Sequence, residues 1–481
     1  MPMLQLLLLL FSLTFEPRYW LYYPAMSEIG SITFSNRRVF IAVPDGIYIL
    51  DHQNRHQRTL TAADGIIEKI RFAAFNPSGN ELLIVCPNRL YQFLPGTGQV
   101  YQLNPPFKNV RSIAITNSGA FFETELGTFQ KLFPDRYQRV ESIPGAARQA
   151  AEAAIPVTWY GANDTTTIHT WTFLSPYFIL DEQKKPRPLT KAYPNERTGR
   201  LYVTSPNYGV IIYNLRSGFK EGEIRLGPPA EPVRKIVNLQ GHLWFLTDEG
   251  NLLLDSAGNW RSYSIPPGEF SFQTGQLLLT DAILDLKRRQ GISAILSLAP
   301  ATTILGTEQA LYAIGPDGKP VLITELFHPV NALASVRDSI LVGTDDGLFI
   351  LTCDTLTRIT DPFARFDWGV YSITQTRGKT FFGTLGRVLQ LDPNNTWTQI
   401  IPPGYDLSQP VRLMTAAADL LFIAGADGID IYNIKTGQWF KLDRTNGLPA
   451  SDITALYADK KFLWVATPGI VSRYQFTAQL R

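Results

Sequence analysis

The sequence predicts an all-β chain of the β-propeller type, with about ten to eleven four-stranded blades, and three observations predict it. At 45% hydrophobic and 18% charged residues the 481-residue chain is folded, and its 36 glycines, 33 prolines and 12% aromatic content favour short strands joined by tight turns. A single pattern recurs along the chain: an apolar strand ending in Thr or a small residue, a turn with Asp, Asn or Gly, then a second apolar strand. In the C-terminal part its members keep step, since Gly347, Gly386, Gly428 and Gly469 lie 39, 42 and 41 residues apart, the length of one propeller blade.

The pattern runs from Val43-Pro44-Asp45-Gly46 through Cys86-Pro87-Asn88-Arg89, Thr124-Glu125-Leu126-Gly127, Thr204-Ser205-Pro206-Asn207 and Thr247-Asp248-Glu249-Gly250. It continues with Thr307-Glu308-Gln309-Ala310, Thr344-Asp345-Asp346-Gly347, Thr384-Leu385-Gly386, Ala426-Asp427-Gly428 and Thr467-Pro468-Gly469. Second turns follow at Pro95-Gly96-Thr97-Gly98, Arg216-Ser217-Gly218, Pro316-Asp317-Gly318 and Lys435-Thr436-Gly437, so each period holds about four strands. One such sheet cannot cover its own apolar faces, whereas sheets stacked face to face around an axis bury both. Leu82-Leu83-Ile84-Val85 and Leu420-Leu421-Phe422-Ile423 are apolar on both sides and are expected to be central strands.

Taken in order, residues 1–15 carry Leu6-Leu7-Leu8-Leu9-Leu10-Phe11, too short to cross a bilayer of roughly 30 Å and read as the apolar core of a signal peptide. The Ala-rich stretch 146–154 predicts a short helix before a degenerate repeat at 157–190. Residues 268–291 interrupt the rhythm and are assigned to an insertion or hinge between a first propeller half, 16–267, and a second, 292–481, with two rings favoured over one large ring. The last repeat stops one strand short at Ser472-Arg473-Tyr474, while Arg18-Tyr19-Trp20-Leu21-Tyr22-Tyr23 has the aromatic look of an outer strand. The N-terminal strand is therefore expected to close the C-terminal blade and remove an exposed edge.

Charge excludes one large class of function: 44 basic and 42 acidic residues nearly cancel, so no nucleic-acid partner is expected. No stretch suits a transmembrane helix, so no membrane span is expected either. Cys86 and Cys353 sit in apparent strands without metal-ligand spacing and read as buried apolar residues. The five histidines, His52 and His56 among them, form no metal pattern, and neither a nucleophile elbow nor a phosphate-binding loop is present. No catalytic residue, metal or cofactor is assigned.

Asn446-Gly447-Leu448-Pro449, Asp452-Ile453-Thr454-Ala455-Leu456 and Leu463-Trp464-Val465-Ala466-Thr467, followed by Gly469-Ile470, resemble the two-component regulator propeller repeat, and Leu341-Val342-Gly343-Thr344 with Asp345-Asp346-Gly347-Leu348 resembles its second half. The resemblance implies an exported, periplasmic or secreted β-propeller of the sensor type, a non-enzymatic module that binds a protein or glycan ligand. The alternative is a propeller enzyme of the lyase or glycosidase type, which needs a His or paired carboxylates near an axis.

Candidate ligand-binding residues come from the first turns and from aromatics in irregular positions. Asp248, Asp345, Asp346 and Asp427, with Asp45, Glu125, Glu249 and Glu308, would share one rim, although Asp before Gly is also what a tight turn selects. Trp368, followed by Gly369, is the preferred loop aromatic and Tyr371 its companion; Trp159, Tyr160, Trp171, Trp260 and Tyr263 are further candidates for a sugar platform.

Overall fold

The computed structural model describes residues 11–12, 19–132, 135–143, 148–150, 155–156, 178–180, 186–239, 242–247, 250–254, 258–264, 292–298, 302–315, 319–336, 339–352, 355–403, 406 and 408–478. These residues build ten sheets on a common plan of four antiparallel strands in up-and-down order, three of them with a short fifth strand added at an edge, so the chain is an all-β protein of the propeller class. In chain order sheets 1 to 5 span residues 31–60, 72–103, 112–140, 191–224 and 235–264, and sheets 6 to 9 span 292–325, 330–359, 372–400 and 414–442. Sheet 10 takes three strands from residues 455–474 and its fourth from the other end of the chain. A two-stranded pair, Phe178–Leu180 with Pro186–Pro188, falls within the degenerate repeat, most of which lies outside the described residues, as does the 268–291 segment. No helix in the described residues is long and apolar enough to cross a membrane.

The N-terminal strand goes where the sequence places it. Trp20–Pro24 pairs antiparallel with Ile470–Tyr474, from Trp20 opposite Tyr474 to Pro24 opposite Ile470. Upstream, Phe11–Ser12 runs parallel to Phe440 and Lys441 on the outer edge of sheet 9; the remainder of the 1–15 segment is outside the described residues. The helix expected at 146–154 is not formed by its described part: Arg148–Ala150 is a strand paired with Ile113–Ile115. The open edge of that inner strand offers backbone partners, and a short stretch pays too high a nucleation cost to form a helix against that competition.

Each core lies between two sheets rather than inside one, because alternate residues of a strand point to opposite faces. On the second strand of sheet 9, Leu421 and Ile423 pack with Phe381 of sheet 8, while Leu420 and Phe422 pack with Val465 of sheet 10. Leu82 to Val85 are likewise fully buried, Leu82 and Ile84 toward sheet 1 and Leu83 and Val85 toward sheet 3. Following these shared cores gives two series: sheets 3, 2, 1 and 4, and sheets 6, 7, 8, 9, 10 and 5. Sheet 5 adjoins sheet 10 through Phe245, Trp260, Tyr23 and Trp464, more than 200 residues apart in sequence.

The 40-residue period reappears as contacts between neighbouring sheets. Ser31 donates to the carbonyl of Ala73 at 2.9 Å, Arg71 to Val110 at 2.9 Å, Ser372 to Val411 at 2.6 Å, and Thr376 to Ala418 at 2.8 Å. A residue thus touches the one a blade length further on.

One buried group opposes the fold at neutral pH. Asp430, on the third strand of sheet 9, is 5% exposed and its Oδ1 has no partner. Burial pushes its carboxyl up to about 6, a rise that Lys441 reduces and Asp427 adds to. Because the unfolded chain ionises first, stability is highest while Asp430 is protonated and falls as pH rises from about 4 through 6. Asp430→Asn is therefore expected to raise the melting temperature by several degrees at pH 7.5 and by much less at pH 4. An equal shift at both pH values in thermal scans would show that the ionised carboxylate is not the cause.

Candidate ligand-binding rim

The Thr of the recurring turn has a structural task. Thr344 donates its hydroxyl to the carbonyl of Gly347 at 3.1 Å and accepts from the backbone N–H of Asp346, which pins the turn. Thr124, Thr307, Thr384 and Thr467 do the same three residues ahead, to Gly127, Ala310, Arg387 and Ile470. Gly347 sits at φ 125°, and a Cβ there would press on the carbonyl of Phe366 at 3.0 Å, so this corner requires glycine.

These turns share a rim with the start of each innermost strand. The chain arrives there as a buried aliphatic residue followed by a variable one: Ile70-Arg71, Val110-Arg111, Val233-Arg234, Val330-Asn331, Val370-Tyr371 and Val411-Arg412. The aliphatic member fills the gap between sheets, while the N–H of the next residue begins the sheet, as Arg71 does to Val85 and Tyr371 to Gly383. That leaves the variable side chain to set the chemistry of the rim.

The acids of the rim are largely engaged. Asp45 is ion-paired with Lys69, Glu125 lies 3.6 Å from Arg111, and Asp345 accepts from the Asn331 amide at 2.8 Å. Asp346 faces Arg358, which also reaches Asp367 at 3.2 Å and the Asp346 carbonyl at 2.9 Å. Asp427 stands at the corresponding turn of sheet 9, and its charge acts on Asp430. Asp248 and Glu249 lie outside the described residues.

The aromatics separate clearly. Trp260 is 3% exposed and packs on Phe245 and Tyr23, so it belongs to the core between sheets 5 and 10 and not to a platform. Trp159, Tyr160 and Trp171 are outside the described residues, and Tyr263 lies on the outer strand Trp260–Ser264 of sheet 5. Trp368 is 60% exposed. It is held out by its own loop: the Asp361 carboxylate accepts from the N–H groups of Phe363, Arg365 and Phe366 at 2.7–2.8 Å, and Phe366 plugs the gap between sheets 7 and 8 against Phe382 and Trp397. The 3-10 turn Phe366–Trp368 then ends at Gly369, with φ 91°.

Tyr371 is the hub of this corner. Its hydroxyl donates to the Trp368 carbonyl at 3.1 Å, and a Cβ on Gly369 would sit 3.0 Å from that hydroxyl and 3.1 Å from the carbonyl of Asp345. The Arg412 guanidinium lies over its ring, 4.9 Å from the centroid. Burial first, and then the charge of Asp345, push the phenol upward, with Arg412 acting against them, so Tyr371 is a neutral hydroxyl at physiological pH. The corner therefore offers an exposed indole, a cation on a phenol ring, and the Asp345–Asn331 pair for hydrogen bonding. Asn331 and Arg412 are absent from the sequence-level candidates; the buried-aliphatic-plus-variable position that begins each sheet is the signal that finds them.

Elsewhere, a cleft of about 150 Å³ between sheets 1 and 10 is lined by Asp45, Ile66, Lys69, Arg444, Pro449 and Pro468 among others. Two like elements form its walls. Asp443 and Asn446 make a capping box ahead of Gly447, at φ 102°, and Thr61 and Asp64 make another ahead of Gly65, at φ 96°. The Asn446-Gly447-Leu448 motif thus has a counterpart in Asp64-Gly65-Ile66, which the sequence reading missed because the capping residues differ. Leu448 and Ile66 are both buried. Among the histidines, His56 bonds Thr59 at 2.8 Å and burial pushes its imidazole down to about 4, which makes it a neutral structural residue. Cys86 is a free, buried thiol; Cys353 is outside the described residues. The described residues contain no cluster of three or more His, Cys, Asp or Glu suited to a metal ion.

No family model matches the chain, and no curated protein matches it. Among solved structures it is similar to the extracellular domain of the putative one-component system BT4673 from B. thetaiotaomicron, at 13% identity over 93% of this chain and 70% of that one, with a TM-score of 0.37. It is also similar to the extracellular domain of the putative hybrid two-component system BT3049 from the same organism, at 13% identity over 93% and 68% of the two chains and a TM-score of 0.38. A third similar structure is PorZ, a surface component of the type-IX secretion system of Porphyromonas gingivalis, at 11% identity over 95% and 87% and a TM-score of 0.48. Ten sheets of up-and-down antiparallel strands, packed face to face, make the chain an all-β protein of the propeller class.

Proposed function

We propose that this chain is an exported, non-enzymatic binding module that captures a glycan on the rim shared by sheets 7 and 8, and that its two packing series, sheets 1 to 4 and sheets 5 to 10, are two rings. The observation that carries the binding reading is Trp368: a large apolar side chain held outward by a loop whose neighbours, Phe366 and Asp361, are fixed. An exposed indole beside hydroxyl and carboxylate groups suits a sugar, whose ring has an apolar C–H face and a polar edge. A catalytic reading lacks support at this corner, where the carboxylates of Asp345, Asp346 and Asp367 already face Asn331 or Arg358. Export to the periplasm or beyond is supported by the apolar N-terminal run and by the repeat resemblance.

Glycan-array screening followed by titration of intrinsic tryptophan fluorescence tests the reading. A bound oligosaccharide should change the emission of the wild-type chain, and Trp368→Ala should weaken its binding at least tenfold while leaving the melting temperature within about 1 °C, because an exposed side chain contributes little to the core. Binding that is indifferent to Trp368 would overturn the placement, and silence on the array together with capture of a protein partner would favour the protein-interaction alternative.

A further inference from the structure

We infer that the ligand carried by this rim is an acidic sugar, one bearing a carboxylate or a sulfate ester, and that Arg412 is the residue that selects for the charge; the inference rests on the glycan-binding reading above. Arg412 is exposed, and its described interaction is the stacking of its guanidinium over Tyr371. Among the described residues no carboxylate pairs with it, in contrast to Arg358 of the same corner, which is shared by Asp346 and Asp367. Asp345 is committed to Asn331. The Tyr371 ring lies on one side of the guanidinium, 4.9 Å from its Cζ, and the N–H groups turned away from the ring suit an oxyanion with two oxygens. A cation fixed on a ring has also lost part of its rotamer freedom before any ligand arrives, which lowers the cost of forming an ion pair.

The sheet architecture supports the same role. Arg412 occupies the variable position after the buried Val411, as Tyr371 follows Val370 and Asn331 follows Val330, so three neighbouring sheets bring a guanidinium, a phenol and an amide to one stretch of rim. Tyr371 is tied into its sheet by its backbone N–H, which donates to the Gly383 carbonyl at 2.8 Å, and the Asn331 side-chain amide reaches across to the carbonyl of Val370 at 3.4 Å. An acidic sugar could then stack on Trp368, place hydroxyls against Asp345 and Asn331, and place its anionic group against Arg412.

The experiment titrates the full chain with oligogalacturonate, with its carboxyl-reduced neutral counterpart, and with a sulfated oligosaccharide and its desulfated counterpart, using wild type, Arg412→Gln, Arg412→Lys and Trp368→Ala. Loss of one charge-assisted pair is expected to weaken an acidic ligand about tenfold to a hundredfold in Arg412→Gln, with Arg412→Lys in between and an affinity that falls with added salt in wild type and Arg412→Lys but much less in Arg412→Gln. Preference for the uronate or for the sulfate identifies the source of the charge, and either supports the inference. Binding of neutral sugars that equals or exceeds that of acidic ones, with Trp368→Ala still impaired, would overturn the charge selection and leave the glycan reading standing. Failure of every sugar on every variant would overturn both. Unchanged thermal melting of Arg412→Gln serves as the folding control.

Discussion

Replacing Trp20 by alanine is expected to destabilise the chain by about 3–5 kcal/mol. Trp20 is 7% exposed, stacks on Tyr22 at 5.6 Å, packs at a tilt against Tyr474 at 4.8 Å, and donates its indole N–H to the carbonyl of Asn446 at 3.0 Å. The adjacent contact repeats the design, since the Tyr22 hydroxyl donates to the Gly447 carbonyl at 2.8 Å. Removing the indole leaves a cavity in the core shared by sheets 9 and 10 and a buried carbonyl without its donor. Trp20→Phe separates most of the two losses: a six-membered ring remains, while the hydrogen bond and the smaller ring of the indole go, at about 1–3 kcal/mol. Denaturant unfolding gives the totals, and hydrogen exchange places them, with protection expected to fall first in residues 455–474. Undiminished protection there would mean that the N-terminal strand does not secure sheet 10.

The second large effect is at Lys131 and Glu81, an ion pair between sheets 3 and 2 at 2.9 Å whose side chains are 5% and 4% exposed. Glu81 also accepts from the Asn76 amide at 2.8 Å. Lys131→Met is expected to cost about 3–5 kcal/mol, because it strands a carboxylate in the interior. Glu81→Leu combined with Lys131→Met should recover most of that loss, as matched apolar replacement of a buried pair is often neutral or stabilising. Equilibrium unfolding of the two single variants and the double variant decides the matter. Additive losses would show that the two groups act independently.

Much of the fold was legible because its causes are local and repeated. Thr-x-x-Gly turns, hairpin glycines and doubly apolar strands each follow from the conformational needs of one sheet, and their spacing set the number of strands per blade. The closing strand could be read as well, since a terminal repeat short of one strand and an aromatic strand with no sheet of its own answer each other. The stretch 148–150 was misread because composition reports helix propensity and not the unfilled edge of Ile113–Ile115 beside it.

The site was less legible, and for a physical reason. Trp368 is conspicuous in the sequence because it stands beside Gly369, but Trp260 carries the same chemistry and is buried between Phe245 and Tyr23. Exposure is a property of neighbours. Arg412 is one of 44 basic residues, and only its position over Tyr371 sets it apart.

By itself, the sequence determined the strand rhythm, the turn chemistry and the union of the two chain ends in one sheet, all of which depend on residues within one period or on an evident gap in it. Only the tertiary structure decided that sheet 5 lies against sheet 10, that the rim acids are already engaged, and that Asn331, Tyr371 and Arg412 meet. Those facts depend on which sheet faces which, and the free energy of burying two apolar faces names a partner surface without specifying where along the chain that partner is found.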